Sequence, residues 1–253
     1  MTTTTSDSAP LTVVLVHGAF TDASSWNGVI ERLQDAGQKV TAPAHPLRGI
    51  SADSAYIASF IEQIQGPVLA VGHSYAGAVI STAATAASNV VGLVFVAAFA
   101  TDEGELVGDV AATSKDAILS TALVTLRYPL GARSGTAGEL VVDPAKFREV
   151  VAADLPAAQT AVMAATQRPI SELAFSEPCG PPAWRTLPSW AVVATHDKAA
   201  GTDLVRSQAE RAGATITEVD GPHVVMISQP DAVADVILTA AAAVGRQLAG
   251  TAA

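Results

Sequence analysis

The chain has 253 residues, of which 49% are hydrophobic and 15% charged. That is enough to bury one large core, and α/β domains of this size are commonly undivided. A formal net charge of −10 with no basic run excludes a phosphate-neutralising nucleic-acid binder, and the single cysteine, Cys179, excludes an intrachain disulfide.

Residues 1–10 are polar and read as a disordered tail, and residues 1–8 lack the basic start and apolar centre of a signal peptide. Residues 11–16 predict a strand, 24–36 a helix, 39–42 a strand, 53–64 a helix and 68–71 a strand. Residues 75–87 predict the next helix, and 90–97 form an apolar strand without a polar side chain. Residues 190–194 and 215–219 predict two more strands, with helices at 203–212 and 231–248. Apolar strands alternating with helices predict an α/β fold: a mostly parallel sheet of about six strands flanked by helices.

The alternation breaks between residues 101 and 187. That stretch holds helical patterns at 143–153 and 156–166, a turn-rich segment at 177–182 carrying Cys179, and no strand pattern. It reads as a helical cap inserted between core segments 11–100 and 188–253, lying over the sheet edge where open α/β sheets bind ligands. Cys179 reads as a lone thiol without a catalytic role. The alanine-rich end, including Ala240 to Ala243, reads as a packed final helix rather than a membrane span. A cytoplasmic location is expected.

One motif carries chemistry. Gly72-His73-Ser74-Tyr75-Ala76-Gly77 follows an apolar strand and precedes a helix. A serine among small residues at such a turn is a nucleophile elbow. The turn is too tight for large flanking side chains, and the helix N-terminus behind it favours developing negative charge. The common pattern has glycine where this chain has Ala76, with Gly77 one residue later.

A serine nucleophile needs a base, and position separates five histidines. His73 adjoins Ser74, so its side chain should point away from the hydroxyl. His17 ends the first strand and shapes a turn. His45, between prolines, reads as a surface or pocket-wall residue. His196 should diverge from its neighbour Asp197. His223 lies on the loop after the last strand, on the same sheet edge as Ser74, and is the expected base. Its expected acid is Asp197, after the strand 190–194 and between Ser74 and His223 in chain order. Asp102 is the rival, Glu103 and Glu105 are weaker, and Asp220 is too near His223 in the chain. Oxyanion donors are expected from the backbone N–H of Tyr75 and of Ala19, with Phe20 the alternative to Ala19. The pocket should be apolar; Phe20, Trp184 and Met163 are its chosen wall residues, with Trp26, Tyr75 and Phe99 as further candidates.

The segments Val14-Leu15-Val16-His17-Gly18-Ala19-Phe20, Gly72 to Gly77, Thr195-His196-Asp197-Lys198 and Gly221-Pro222-His223 together resemble the α/β-hydrolase superfamily. Within it, the chain is similar to the small esterase and hydroxynitrile-lyase-like group, which includes plant methyl-ester esterases. The resemblance implies the same triad and oxyanion assignments, and a sheet without the first antiparallel hairpin of larger members. Besides Ala76, this chain departs from many relatives in having no proline after Asp197, where it reads Lys198-Ala199-Ala200-Gly201. Lyases resembling this group use a pocket lysine, for which Lys198 is the candidate.

The expected function is hydrolysis of a small carboxylic ester or lactone through an acyl-enzyme. Carbon–carbon bond hydrolysis or lyase chemistry on the same scaffold, or a slow-turnover ligand receptor, are the alternatives. No cofactor is implied: the histidines form no metal-binding pattern, and the glycines lack dinucleotide spacing. A small-molecule substrate is the expected partner, neither nucleic acid nor membrane is, and a homodimer is left open.

Overall fold

The computed structural model describes residues 9–131 and 135–251, so most of the expected tail lies outside the described residues. Among the described residues nine strands follow one another: β1 (Thr12–Val16), β2 (Lys39–Thr41), β3 (Val68–His73), β4 (Val90–Val96), β5 (Leu123–Pro129), β6 (Thr136–Val142), β7 (Ile170–Ser171), β8 (Ser189–Ala194) and β9 (Thr215–Val219). Between them lie α1 (Asn27–Asp35), α2 (Ile50–Glu62), α3 (Ala76–Ala83), α4 (Val107–Ala111), α5 (Pro144–Val151), α6 (Ala157–Thr166), α7 (Leu173–Ser176) and α8 (Thr202–Arg211), and α9 (Val225–Ser228) follows β9. The last helix is α10 (Pro230–Thr251).

Six strands form one sheet in the order β2-β1-β3-β4-β8-β9. All its pairs are parallel, with Val14 opposite Ala70, Val71 opposite Val94 and Val96 opposite Val192. β1, β3 and β8 are buried along their whole length, which is why they read as unbroken apolar runs. Helices pair over them, α1 with α10 and α2 with α3. From β1 the chain runs outward to β2, then crosses back to β3. The crevice of an open α/β sheet forms where the strand order reverses in this way, at the C-terminal strand ends. That places the loops after β1 and β3 side by side.

Among the described residues, α10 alone is long and apolar enough to cross a membrane by length and composition. In this fold its stripe of Val233, Ala234, Ile237, Ala240 and Val244 is buried, and the helix packs on α1, β4 and β8.

The expectation of a strandless, helical insertion at 101–187 needs correction. α5 and α6 lie where helices were predicted, but β5 and β6 form an antiparallel hairpin that β7 extends. The hairpin escapes a search for apolar runs because it is largely solvated. Val124 and Leu126 are over 40% exposed, and Thr125, Arg127 and Glu139 interleave with its apolar residues. Its position is set by Arg48, which pairs with Glu139 at 2.8 Å and lies over the Tyr128 ring at 4.1 Å.

A polar clamp ties the segment after β4 to α8. Arg211 grips Glu105 with two bonds of 2.6 and 2.8 Å and donates to the Ala100 carbonyl at 2.9 Å. The Arg211 guanidinium holds the Glu105 carboxyl below its ordinary value of 4.5. A carboxyl depressed by folding stabilises the fold above its unfolded pKa, and that contribution fades as pH falls through the folded value. Calorimetry should therefore show the wild-type melting temperature falling more steeply than that of Glu105→Gln between about pH 5 and pH 3. Parallel curves would show that the clamp contributes nothing to acid sensitivity.

Candidate active site

β3 runs into α3 through Ser74, whose φ of 55° lies in the left-handed region. A non-glycine residue there costs about 1–3 kcal/mol and persists only when its surroundings over-determine it. Three backbone bonds do so: Ser74 donates to the Val96 carbonyl at 3.2 Å, while Phe99 and Gly77 donate to the Ser74 carbonyl at 3.1 and 3.0 Å. Ala76 is fully buried at the usual glycine position. The close approach falls one residue later, since a Cβ on Gly77 would sit 2.4 Å from the Phe99 carbonyl oxygen. The departure from the common motif is therefore absorbed by Gly77.

Ser74, His223 and Asp197 come together. His223 Nε2 is 2.9 Å from Ser74 Oγ, and its Nδ1 is 2.8 Å from Asp197 Oδ2. All three residues are buried. The other Asp197 oxygen, Oδ1, accepts from the backbone N–H groups of Ala199 and Ala200 at 2.9 Å each. A carboxylate only accepts, so Nδ1 is the donor of that bond, and the tautomer carrying its proton there presents the Nε2 lone pair to the serine. The acid loop after β8 and the histidine loop after β9 are strapped by the Thr195 amide to the Val219 carbonyl and the His196 amide to the Gly221 carbonyl, both 3.0 Å.

His73 points away from the Ser74 hydroxyl, and its Nε2–H donates to the His223 carbonyl at 3.0 Å. Burial, with His223 next in importance, pushes its pKa well below the usual histidine value, so the ring stays neutral. It braces the loop that presents His223. No pattern in the chain foretold that brace, because it joins residues 150 apart.

The remaining candidates are engaged elsewhere. His17 is buried, its Nδ1 bonds the Gly18 carbonyl at 2.9 Å, and burial followed by His45 lowers its pKa to about 3. His45 is not the surface or pocket-wall residue that its proline-bounded loop suggested. It is fully buried, and its Nε2–H donates to the His17 carbonyl at 2.8 Å. His196 pairs with Asp220 at the surface at 2.8 Å. Asp102 pairs with Arg185, and Glu105 with Arg211. The Lys198 side chain is exposed and is absent from the cavity wall described next. Cys179 is buried, and burial raises its thiol pKa.

Ser74 opens into a cavity of about 420 Å³. Ala19, Phe20, Tyr75 and Phe99 line its core side, and Leu140 and Phe175 belong to the insertion that closes it. Two chosen wall residues lie elsewhere. Trp184 does not line this cavity: its Nε1–H donates to the Thr101 carbonyl at 3.0 Å, and its ring packs beside Arg185 and Arg211. Met163 lines a separate, more polar recess of about 340 Å³ that shares Phe20 and includes Asp22 and Gln159. Trp26 is core, fully buried and edge-on to His73. Aromatic type alone does not separate wall from core, since both remove apolar surface from water.

The loop after β1 presses against the serine. A Cβ on Gly18 would lie 2.7 Å from His73 Nδ1 and 2.8 Å from Ser74 Cβ. Among the described residues, the amides of Ala19 and Tyr75 donate to no other group. Gly18→Ala is expected to destabilise the protein by about 1–3 kcal/mol in urea titration, through forced displacement in a packed site. It should also lower turnover by moving Ala19 away from Ser74. A variant with unchanged midpoint and turnover would show that the two loops are not closely coupled.

Residues 13–236 match the Alpha/beta hydrolase family. No curated protein sequence matches. Among solved structures, a polyneuridine aldehyde esterase superposes with a TM-score of 0.76 at 20% identity, over 91% of this chain and 99% of that one. Tomato methylketone synthase I, solved with 2-tridecanone, gives 0.72 at 20% identity over 92% and 98%. A methylesterase from Arabidopsis gives 0.74 at 18% identity over 92% and 99%. At these identities the likeness is one of fold. With a six-stranded parallel sheet, a serine at the turn from β3 to α3 and a family match covering most of its length, the chain belongs to the alpha/beta hydrolase family.

Proposed function

We propose that the protein is a serine esterase that hydrolyses a small, uncharged carboxylic ester or lactone through an acyl-enzyme. The observation that carries this reading is the unbroken chain of hydrogen bonds from Asp197 through His223 to Ser74, ending at an apolar cavity. Ser74 Oγ attacks the ester carbonyl while His223 Nε2 takes its proton. Asp197 holds the ring and stabilises the imidazolium that forms. The developing oxyanion is received by the N–H groups of Ala19 and Tyr75. His223 then gives its proton to the leaving alkoxide, and the same groups guide water onto the acyl-enzyme.

Among the described residues, no lysine, arginine, aspartate or glutamate lines the cavity. A charged acyl group would lose its hydration there without a partner, so neutral acyl chains are favoured. The esterases among the solved likenesses agree with this chemistry. The lyase reading lacks support, because the one lysine beside the acid is exposed and away from the wall.

Turnover of p-nitrophenyl esters tests the proposal. kcat/KM should rise from acetyl to medium-length acyl groups, then fall when the chain outgrows the cavity. A hemisuccinyl ester should react at least about 10-fold more slowly than the butyryl ester, given the cost of burying an unpaired carboxylate. A burst without sustained turnover across the series would favour a receptor instead.

A further inference from the structure

Asp53 is fully buried in the first turn of α2, yet it has no place in the serine–histidine–aspartate chain. Its carboxylate accepts from the Tyr75 hydroxyl at 2.9 Å and from the Arg48 amide at 3.1 Å to each oxygen. The Gly49 amide lies 3.5 Å away, and His45 Nδ1 is 3.8 Å from Oδ2, too far for a hydrogen bond. Burial raises the carboxyl pKa, but His45, the Arg48 amide and Tyr75 outweigh it and hold the group below the usual aspartate value. Burial and then Asp53 raise the Tyr75 phenol, so it remains a donor.

The connections run to both sides of the reacting serine. Tyr75 directly follows Ser74, and its ring stacks on His45 with a centroid distance of 6.1 Å and an interplanar angle of 10°. His45 in turn donates to the carbonyl of His17, two residues before Ala19. The carboxylate thus anchors Tyr75 by a hydrogen bond, and His45, stacked on Tyr75, holds the backbone two residues before Ala19. A phenylalanine at 75 would fill the same space without drawing a charge into the core, where an uncompensated carboxylate is costly.

We propose that Asp53 is a positioning residue that holds the Tyr75 and Ala19 amides in register for the oxyanion. The proposal rests on the reading of Ser74 as the nucleophile. Oxyanion donors act through placement, so loosening them slows chemistry more than it weakens substrate binding.

The test compares Asp53→Asn, Tyr75→Phe and the double variant on a p-nitrophenyl ester, each normalised to sites titrated by a serine-reactive phosphonate. Each single variant should lose roughly 10- to 100-fold in kcat with KM within about 2-fold, as expected when a donor is misplaced rather than removed. The double variant should lose little more than either single one, because both cut the same link. The second-order rate of phosphonylation should fall in parallel. Tyr75→Phe keeps the test decisive if Asp53→Asn does not fold. Unchanged kcat in Tyr75→Phe, a loss confined to KM, additive losses, or a loss removed by site titration would each overturn the proposal. Ser74→Ala separates the two readings. If it is inactive while Asp53→Asn is normal, only the role of Asp53 falls; if it stays active, the esterase reading falls as well.

Discussion

Ser74→Ala is expected to lower kcat on a p-nitrophenyl ester by on the order of 10⁴- to 10⁶-fold, the range seen when the nucleophile of a hydrogen-bonded triad is removed. The residue lost is small, and among the described residues its hydroxyl bonds only to His223 Nε2 at 2.9 Å. The turn that carries it is held by the backbone, through bonds to Val96, Phe99 and Gly77, so the scaffold should survive the change. Alanine meets the same left-handed strain at φ 55°, so the strain adds no difference and the melting temperature should change little. The residual rate should be that of a cavity that binds ester and offers two amides. Initial rates, with mass spectrometry of the phosphonate adduct, measure both parts of the claim. Activity above a tenth of wild type, or an adduct on another residue, would refute Ser74 as the nucleophile.

Asp197→Asn should cost about 10⁴-fold in kcat with the fold intact, by fixing the wrong histidine tautomer. The local bonding makes the direction of the effect unambiguous. Two amides, from Ala199 and Ala200, point at Oδ1 with 2.9 Å bonds. An asparagine must turn its carbonyl oxygen toward them, which leaves its NH₂ facing His223 Nδ1. That nitrogen must then accept, and the proton moves to Nε2, where it faces Ser74 and cannot take the serine proton. The rate should recover at high pH as hydroxide substitutes for the missing base, whereas wild type should show no such rise. A variant within 10-fold of wild type, with unchanged melting, would mean that Asp197 is not the group that orients the ring.

The two variants separate attack from orientation. Phosphonylation should vanish in Ser74→Ala but only slow in Asp197→Asn, since the latter keeps its hydroxyl. Together with Asp53→Asn and Tyr75→Phe they test the proposed division of the site into a nucleophile, a proton carrier with its anchor, and a frame for the oxyanion.

Much of this organisation is legible in the chain because it follows from local rules. Strands buried on both faces must be continuously apolar, so β1, β3, β4 and β8 announce themselves. A tight strand-to-helix turn admits only small residues, so Ser74 between Gly72 and Gly77 stands out. In a parallel sheet the loops after the strands share one edge, which selected His223 from five histidines and placed Asp197 beside it. The β5–β6 hairpin was not legible, since a half-solvated hairpin carries no strong period. Trp184 and Met163 were misplaced, because a large apolar side chain is equally at home in a core, against an arginine or along a cleft.

Order along the backbone is dictated by neighbours in the chain, through steric limits and the two-residue and 3.6-residue periods, and from it came the alternating elements, the serine turn and the edge on which the chemistry lies. Contacts between distant residues obey no such period. The His73 brace on His223, the burial of His45, the Asp53 link to Tyr75 and the choice of cavity wall each join segments far apart in sequence, and packing alone selects which side chains meet there.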